Sequence, residues 1–213
     1  MGIAYNPSVV TNGLIHYYDA ANSKSYPGSG TTWYDLVGNK NGTLKNGASF
    51  SSDNKGVIVL DGTNDWIEIL DMDLRTVDYT IMGAARYVTI GGRTFSARTN
   101  NWLMGHWSSS TVKHYAQAWV TTSSYNEESD TNWRIYAATS DYSADSWGFY
   151  VNGELNVSNS NGTAGPYNFA VGSYAGVSEF SNSHISNLVI YDRVLTAAEI
   201  RQNYHALGGR FGV

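Results

Sequence analysis

Residues 57–69 read VIVLDGTNDWIEI, and this stretch decides the fold class. Two apolar runs, 57–60 and 66–69, flank five residues that all favour turns. The pattern predicts a β-hairpin with a short loop at 61–65. Because the first run has no polar face, both faces of its strand are expected to be covered, as in the middle of a two-sheet sandwich.

The polar residues of that loop have two interpretations. Asp61, Asn64 and Asp65 can accept hydrogen bonds from nearby backbone amides, which is ordinary turn chemistry. Their clustered oxygens could instead form a calcium-binding rim. Since the order of residues does not match an EF-hand loop, turn chemistry is favoured.

Composition indicates a globular all-β chain. The 213 residues have a net charge of −5 and no cysteine. No apolar run approaches the roughly 20 residues of a membrane span, and no secretory leader is expected. No basic cluster favours nucleic acid or a membrane as partner. The 22 glycines, 16 tyrosines and 7 tryptophans are typical of Gly-rich turns between aromatic strands. We therefore expect a single soluble domain, in which some aromatic rings could also serve sugar recognition.

Short strands separated by turns are predicted along most of the chain. Asn152 and Gly153 give a strong hairpin signal. Residues 113–121 alternate as one strand, with Tyr115 and Trp119 on the same face.

One helix is predicted at 196–207, where Thr196 and Glu199 form a capping box. The expected architecture is a two-sheet antiparallel β-sandwich of jelly-roll type, with this helix packed at one edge. The strands near 14–18 and 185–191 are expected to lie close together.

A set of motifs extends over nearly the whole chain: GLI (13–15), DA (19–20), SYPGSGTTWYDL (25–36), NGTL (41–44), LDGTNDWI (60–67), YTI (79–81), WGFYVNG (147–153) and ISNLVIYDRVLT (185–196). Together they resemble laminin-G-like domains of the concanavalin A-like lectin/glucanase superfamily. The resemblance implies a jelly roll of two curved sheets, in families that commonly bind glycans or proteins, sometimes with calcium. It predicts an N-terminal arm at 1–12, a β-sandwich at 13–209 and a C-terminal tail at 210–213.

Three further segments are NWLMGHW (101–107), DTNWRIY (130–136) and NYHALGGRFGV (203–213). They are similar to stand-alone laminin-G-like virion proteins of tailed bacteriophages. This similarity implies a non-enzymatic virion structural protein, either a capsid decoration or a fibre module. Its expected partners are capsid or other virion proteins, a cell-surface glycan and further copies of itself. The alternative is a secreted or cell-surface lectin-like carbohydrate-binding module.

The resemblance also implies a candidate calcium site, drawn from Asp19, Asp35, Asn39 and Asn187. The acidic residue that the family carries near the start of the last strand is replaced here by Ser186 and Asn187. This replacement reduces the negative charge of the site, and with it the expected affinity.

A catalytic pair of carboxylates is not found. Glucanases of this superfamily carry two glutamates and an aspartate alternating along one strand, and retaining chemistry needs two carboxyls roughly 5 Å apart. The nearest pattern is Glu68 with Asp71, which falls on the opposite face of a regular strand. Glu127 and Glu128 lie in a polar loop. We therefore expect no catalytic residues, and a glycoside hydrolase is the least favoured class.

The histidines His106 and His114 flank a Ser-rich turn. A zinc site would need a third ligand, and no cysteine supplies one. Polar histidines lining a sheet are the favoured interpretation.

Aromatic residues on three successive predicted strands form the candidate ligand-binding surface. Half of them are expected in the core, and the rest could stack on a sugar ring or contact another protein. The six candidates are Trp102, Trp107, Tyr115, Trp119, Trp133 and Tyr136.

The terminal segments are candidate assembly contacts. Asn6 belongs to a short polar segment, while Phe211 and Val213 follow a flexible Gly-Gly. Neither segment is expected to contribute much to the core, so both are available to pack on a neighbouring subunit or a capsid.

Overall fold

The structure is a computed structural model that describes residues 7–89, 91–121 and 130–213. In these residues the chain forms β1 (Leu14–Asp19), β2 (Thr32–Trp33), β3 (Gly42–Lys45), β4 (Ser49–Ser51), a 3-10 turn (Asp53–Lys55), β5 (Val57–Asp61), β6 (Trp66–Asp73), β7 (Tyr79–Thr89), β8 (Arg93–Ser96), β9 (Trp102–Trp107), β10 (Ser110–Ala116), β11 (Arg134–Asp141), β12 (Ser146–Val151), β13 (Glu154–Asn159), β14 (Tyr167–Val171), β15 (Asn182–Tyr191) and α1 (Ala197–Gly208).

These strands build two antiparallel layers. The larger sheet has the order β13-β12-β11-β7-β15-β5-β4, and β1 pairs with β15, which confirms the predicted contact between the first and last strands. The second layer contains the groups β10-β9-β8 and β14-β6-β3-β2. Backbone hydrogen bonds join the two groups, from Gly172 to Thr94 (2.6 Å) and from Arg98 to Asn168 (3.0 Å). The predicted two-sheet sandwich is confirmed.

The decisive stretch at 57–69 is not a hairpin, and that prediction was wrong. β5 pairs with β4 and β15 in the larger sheet, whereas β6 pairs with β3 and β14 in the second layer. The loop at 61–65 therefore crosses between the layers. Turn chemistry holds it in place, since the Asp61 carboxylate accepts from the Thr63 amide (2.7 Å) and that of Asp65 accepts from the Asp61 amide (3.3 Å).

Coverage of β5 on both faces is confirmed. Val57, Ile58 and Leu60 have no exposed surface. Ile58 and Leu60 belong to the main core between the layers, which also contains the largest fully buried side chains. Among those are Trp33, Trp102, Trp147, Tyr79, Tyr136, Phe95, Phe149 and Phe169.

Helix α1 covers the outer face of the larger sheet. Thr196 caps it, accepting from the Glu199 amide while the Glu199 side chain accepts from the Thr196 amide, so the predicted capping box is confirmed. Ile200 and Leu207 join a second core with Met82 of β7 and others on β11 and β15. The expected position at one edge was wrong, because this outer face carries apolar residues that need cover.

Both terminal segments pack onto the sandwich as far as the structure describes them. Val10 is buried in the second core, its amide donates to Asn203 (2.8 Å), and its carbonyl accepts from the Tyr191 hydroxyl (2.9 Å). Phe211 stacks on Trp133 with ring centroids 4.2 Å apart. The expectation that neither segment contributes much to the core was wrong, since Val10 is buried in the second core and Phe211 packs against it. Asn6 lies outside the described residues.

Candidate functional site

Three of the predicted aromatic residues gather on the outer face of the β9–β10 pair. The Trp107 and Trp119 ring centroids are 5.3 Å apart, and those of Tyr115 and Trp119 are 5.0 Å apart in an edge-to-face arrangement. Each side chain is half-buried. Trp107, Tyr115 and Trp119 are hereafter the aromatic patch.

The patch depends on a chain reversal that the sequence pattern does not predict. Trp107 and Tyr115 point outward by strand alternation, but β10 ends at Ala116 instead of continuing to 121 as predicted. Gln117 adopts a left-handed backbone (φ 59°), and the Ala116 amide bonds to the Ala118 carbonyl at 2.8 Å. This tight turn returns Trp119 beside Tyr115, where the two form an isolated β-bridge.

An open cleft of about 490 Å³ adjoins the patch at Trp107. Ser108, Ser109 and Glu179 contribute its polar groups, and Gly91 and Gly92 contribute bare backbone. Volumes of roughly 300–1,000 Å³ are usual for small-molecule sites.

The Glu179 carboxylate is held in the cleft by two donors. Its Oε2 accepts from Nε of Arg93 (2.5 Å) and from the indole nitrogen of Trp107 (2.9 Å). Arg93 is 5% exposed and also donates to Asn101 at 2.8 Å, so it is a rigid anchor. In the described part of the chain, no hydrogen bond reaches Oε1 of Glu179, whose side chain is 38% exposed. That oxygen is available as an acceptor.

Gly92 allows the two walls of the cleft to approach each other. It adopts φ +74°, and a Cβ there would lie 2.3 Å from the Phe180 carbonyl oxygen. Next to it, the Arg93 amide donates to the Glu179 carbonyl at 2.9 Å. Any side chain at position 92 would separate these segments.

The remaining three aromatic candidates are buried. Trp102 and Tyr136 have no exposed surface. The Trp102 indole N–H donates to the Tyr79 hydroxyl (3.0 Å), and the Tyr136 hydroxyl donates to the Thr111 carbonyl (2.8 Å). Trp133 is 8% exposed beneath Phe211. Assigning Trp102 and Tyr136 to ligand binding was wrong, since a ligand cannot reach them, and Trp133 lies apart from the other candidates, at the edge of a different cleft. The expectation that half of the six are core is confirmed.

His106 and His114 are core residues without exposed surface. His106 stacks on Tyr87 (3.9 Å), and neither of its ring nitrogens has a hydrogen-bond partner in the described part of the chain. Nδ1 of His114 is hydrogen-bonded to the Leu103 carbonyl oxygen (2.8 Å). Burial lowers the pKa of His106 to about 3 and of His114 to about 4, so both rings are neutral near pH 7.

Glu68 and Asp71, the candidate catalytic carboxylates that the structure describes, do not form a catalytic pair. Glu68 binds Lys45 through Oε2 and Arg98 through Oε1, each at 2.7 Å. Asp71 is exposed with a left-handed backbone (φ 59°). Glu127 and Glu128 lie outside the described residues. Two bound cations leave Glu68 without a free oxygen for acid–base chemistry.

The four candidate calcium ligands do not present free oxygens to a common point. Asp35 accepts from His16 (2.6 Å) and from backbone amides including that of Tyr17 (3.0 Å). Its burial raises the pKa, but these hydrogen bonds outweigh that effect and leave the pKa below its ordinary value. Asp19 is bound by Arg210 at 2.8 Å.

The other two candidate calcium ligands are Asn187 and Asn39. Asn187 lies opposite Asp19 in the β1–β15 ladder, but its side-chain oxygen accepts from the Ala84 amide (3.1 Å). Asn39 is exposed. Among the described residues no group of three or more His, Cys, Asp or Glu side chains could hold a metal. As placed, the donors do not fit calcium, whose six to eight oxygen ligands must be free to coordinate.

Sequence comparison supports the architecture. Residues 61–201 match the laminin G family model described as the concanavalin A-like lectin/glucanases superfamily. The chain belongs to this superfamily. No curated protein matches it. In the described part of this superfamily member, no helix is long and apolar enough to cross a membrane.

Solved structures similar to this superfamily member share its fold at low identity. Domain 4 of AbnA, a GH43 extracellular arabinanase from Geobacillus stearothermophilus solved with arabinotriose, aligns over 88% of this chain and 96% of its own (17% identity, TM-score 0.66). Trypanosoma rangeli sialidase in complex with sialic acid aligns over 97% of this chain (12% identity, TM-score 0.66). The binding domain of Paraclostridial Mosquitocidal Protein 1 aligns over 90% of this chain and 52% of its own (16% identity, TM-score 0.63). This chain spans only about a third of the sialidase, 36%.

Proposed function

We propose that the protein is a non-enzymatic glycan-binding module that recognises a neutral sugar ring on the aromatic patch. One observation carries the proposal: three half-exposed rings converge on one outer sheet face beside a carboxylate fixed by a buried arginine. Aromatic faces pack against the C–H faces of a sugar, and a fixed acceptor orients its hydroxyls.

The cleft supplies the directional contacts of this binding mode. Oε1 of Glu179 accepts a sugar hydroxyl, and the side chains of Ser108 and Ser109 can donate or accept. Since Arg93 and Trp107 already hold Glu179, little conformational entropy is lost when the ligand binds. With one or two ring contacts of about 1 kcal/mol each and a few hydrogen bonds of similar size, the affinity of a single site is expected to be weak, in the millimolar range.

The absence of enzymatic activity is part of the proposal. The nearest approach to a catalytic carboxylate, Glu68, is bound to two cations. The Glu179 carboxylate is held by Trp107 and Arg93, and among the described residues no second carboxylate is hydrogen-bonded to it. Glycoside hydrolysis needs two such groups flanking one bond.

The proposed setting is the virion of a tailed phage, as a capsid decoration or fibre module that contacts other virion proteins. The support is the similarity of segments 101–107, 130–136 and 203–213 to virion proteins of this fold. Display in many copies would raise a weak single-site affinity by avidity. A secreted or cell-surface lectin module is the alternative, and AbnA domain 4, solved with arabinotriose, supports glycan binding in either setting.

The glycan-binding proposal is tested on an array of neutral oligosaccharides with the purified protein. Trp119→Ala removes the central ring of the patch, while Tyr142→Ala removes a ring that is 41% exposed elsewhere and serves as the matched control. We expect the wild type and Tyr142→Ala to bind the same glycans and Trp119→Ala to bind none. Equal binding by all three proteins, or no binding by any, would refute the proposal.

The virion setting has a separate test. Quantitative mass spectrometry of purified particles should find the protein at a fixed copy number per particle. Recovery only in the medium of the producing cells would favour the secreted lectin.

A further inference from the structure

The arginines of this chain follow one rule with a single exception. Seven of the eight are ion-paired with a carboxylate in the structure, namely Arg75, Arg93, Arg98, Arg134, Arg193, Arg201 and Arg210. Arg86 is the exception: its contacts in the described part of the chain include no ion pair.

Arg86 is also not a freely solvated surface residue. It lies half-buried on β7, and its Nε and Nη2 both approach Nδ1 of His184, at 3.4 and 3.3 Å. Its guanidinium lies 5.8 Å from the centroid of the Trp133 ring. These neighbours fix the guanidinium plane without neutralising its charge, since His184 acts as the acceptor and must be unprotonated at Nδ1.

A second cleft, of about 510 Å³, opens at this guanidinium. It is mostly polar: Thr131, Asn132 and Asn152 line it together with Arg86, Trp133 and Phe211 form an apolar side, and the chain end at Gly212 and Val213 also contributes. The Asn152 oxygen accepts from the Ile135 amide (2.9 Å), which leaves the Asn152 amide nitrogen as a donor. The cleft thus combines an uncompensated cation, amide donors and a size suited to one or two sugar rings.

The other charges near the cleft form no ion pair with Arg86 among the described residues. Arg134 is bound by Asp130 through two parallel contacts, at 2.6 and 2.8 Å, so that pair is close to neutral. Asp53 is near enough to His184 to raise its pKa somewhat, but burial first and Arg86 second lower that pKa overall. Asp53 is exposed and forms no ion pair with Arg86. Arg86 is therefore the cation of this cleft that has no ion pair in the described part of the chain, on a protein of net charge −5.

We propose that Arg86 binds the carboxylate of an acidic sugar residue in this cleft. The guanidinium presents a planar fork that matches a carboxylate, and in the described part of the chain no hydrogen bond reaches its remaining nitrogen. Asn132 and Asn152 receive the hydroxyls of the ring. This site is distinct from the aromatic patch: it lies on the outer face of the larger sheet, beyond the C-terminal end of α1, and it selects by charge.

The proposal is tested by titration with D-glucuronate and N-acetylneuraminate, using D-glucose as the neutral control. The probe is the NMR signal of the Trp133 indole N–H, since the centroid of this ring lies 5.8 Å from the guanidinium. Both acids should shift this signal to saturation and glucose should not. Arg86→Met should weaken the response about tenfold or more, because it removes a charge-assisted pair. Arg75→Met, at an exposed and ion-paired arginine, should leave it unchanged.

Two further variants, Arg86→Lys and Trp119→Ala, complete the test. Arg86→Lys retains the charge without the fork and should also weaken binding, which covers the case in which Arg86→Met does not fold. Trp119→Ala should bind the acids as the wild type does, so failure of the patch and failure of this cleft are distinguishable. An equal response to glucose, an unchanged response in Arg86→Lys and Arg86→Met, or tighter binding of inorganic phosphate than of both acids would overturn the proposal.

Discussion

At the scale of single residues, the two buried histidines make stability depend on pH. The folded-state pKa is about 3 for His106 and about 4 for His114, both lowered by burial, against an ordinary value near 6.5. Below pH 6.5 the unfolded chain binds protons that the folded chain does not. Stability is therefore complete above that pH and falls as the pH drops toward 4.

The expected loss is about 1.4 kcal/mol per pH unit for each histidine, or roughly 4 kcal/mol for both between pH 6.5 and 5. Urea unfolding at pH 7 and pH 5 measures it. His106→Phe, which keeps a ring against Tyr87, should reduce the pH dependence by about half. A free energy of unfolding that is unchanged from pH 7 to 5 would contradict the buried, neutral state of both rings.

Single residues also mark the limit of sequence-based prediction. The turn chemistry of Asp61 and the capping box of Thr196 and Glu199 are local, and both were predicted. The pair Arg93–Glu179 that anchors the cleft joins residues 86 positions apart, and no spacing signal connects them. Gln117 has no turn signature, yet its left-handed backbone decides where Trp119 lies.

At the scale of elements, the C-terminal segment behaves as part of the fold. The Arg210 guanidinium binds Asp19 at 2.8 Å and the Ser186 hydroxyl, and both charged side chains are largely buried, at 12% and 15% exposure. The segment thereby connects β1, β15 and the end of α1. An assembly contact through Phe211 or Val213 remains a prediction, and it would have to use the exposed side of a segment that is already packed.

Arg210→Ala should destabilise the protein by about 3 kcal/mol, because the substitution leaves the Asp19 carboxylate largely buried without its partner. Arg201→Ala is the matched control, since its pair with Glu154 is exposed and should contribute less than about 1 kcal/mol. Denaturant unfolding of both variants measures the difference. Equal effects would mean that the tail contact is not part of the folded structure.

The elements also show why the hairpin prediction failed while the sandwich prediction succeeded. Coverage of both faces is a property of β5 itself, and its continuous apolar run without polar alternation predicts it. Which strand pairs with β5 depends on β15, more than 100 residues away, and only tertiary packing decides that. Five turn residues allow a hairpin as well as a crossing between layers.

At the scale of the whole molecule, the calcium prediction can be decided by thermal unfolding. An ion that binds only the native state must raise the melting temperature. Because the Asp35 oxygens accept protein donors and Asp19 holds Arg210, we expect the same melting temperature in excess calcium and in excess chelator. A rise of several degrees with calcium would show that these carboxylates rearrange to bind it.

Binding of neutral glycans at the aromatic patch can be followed through the indole N–H signals of the seven tryptophans. Trp107 and Trp119 are half-buried at the patch, whereas Trp33, Trp102 and Trp147 are fully buried in the core. Titration with a neutral oligosaccharide found on the array should shift the Trp107 and Trp119 signals to saturation and leave the three core signals in place. Saturable binding that leaves Trp107 and Trp119 unshifted would place the glycan elsewhere and rule out binding at the patch.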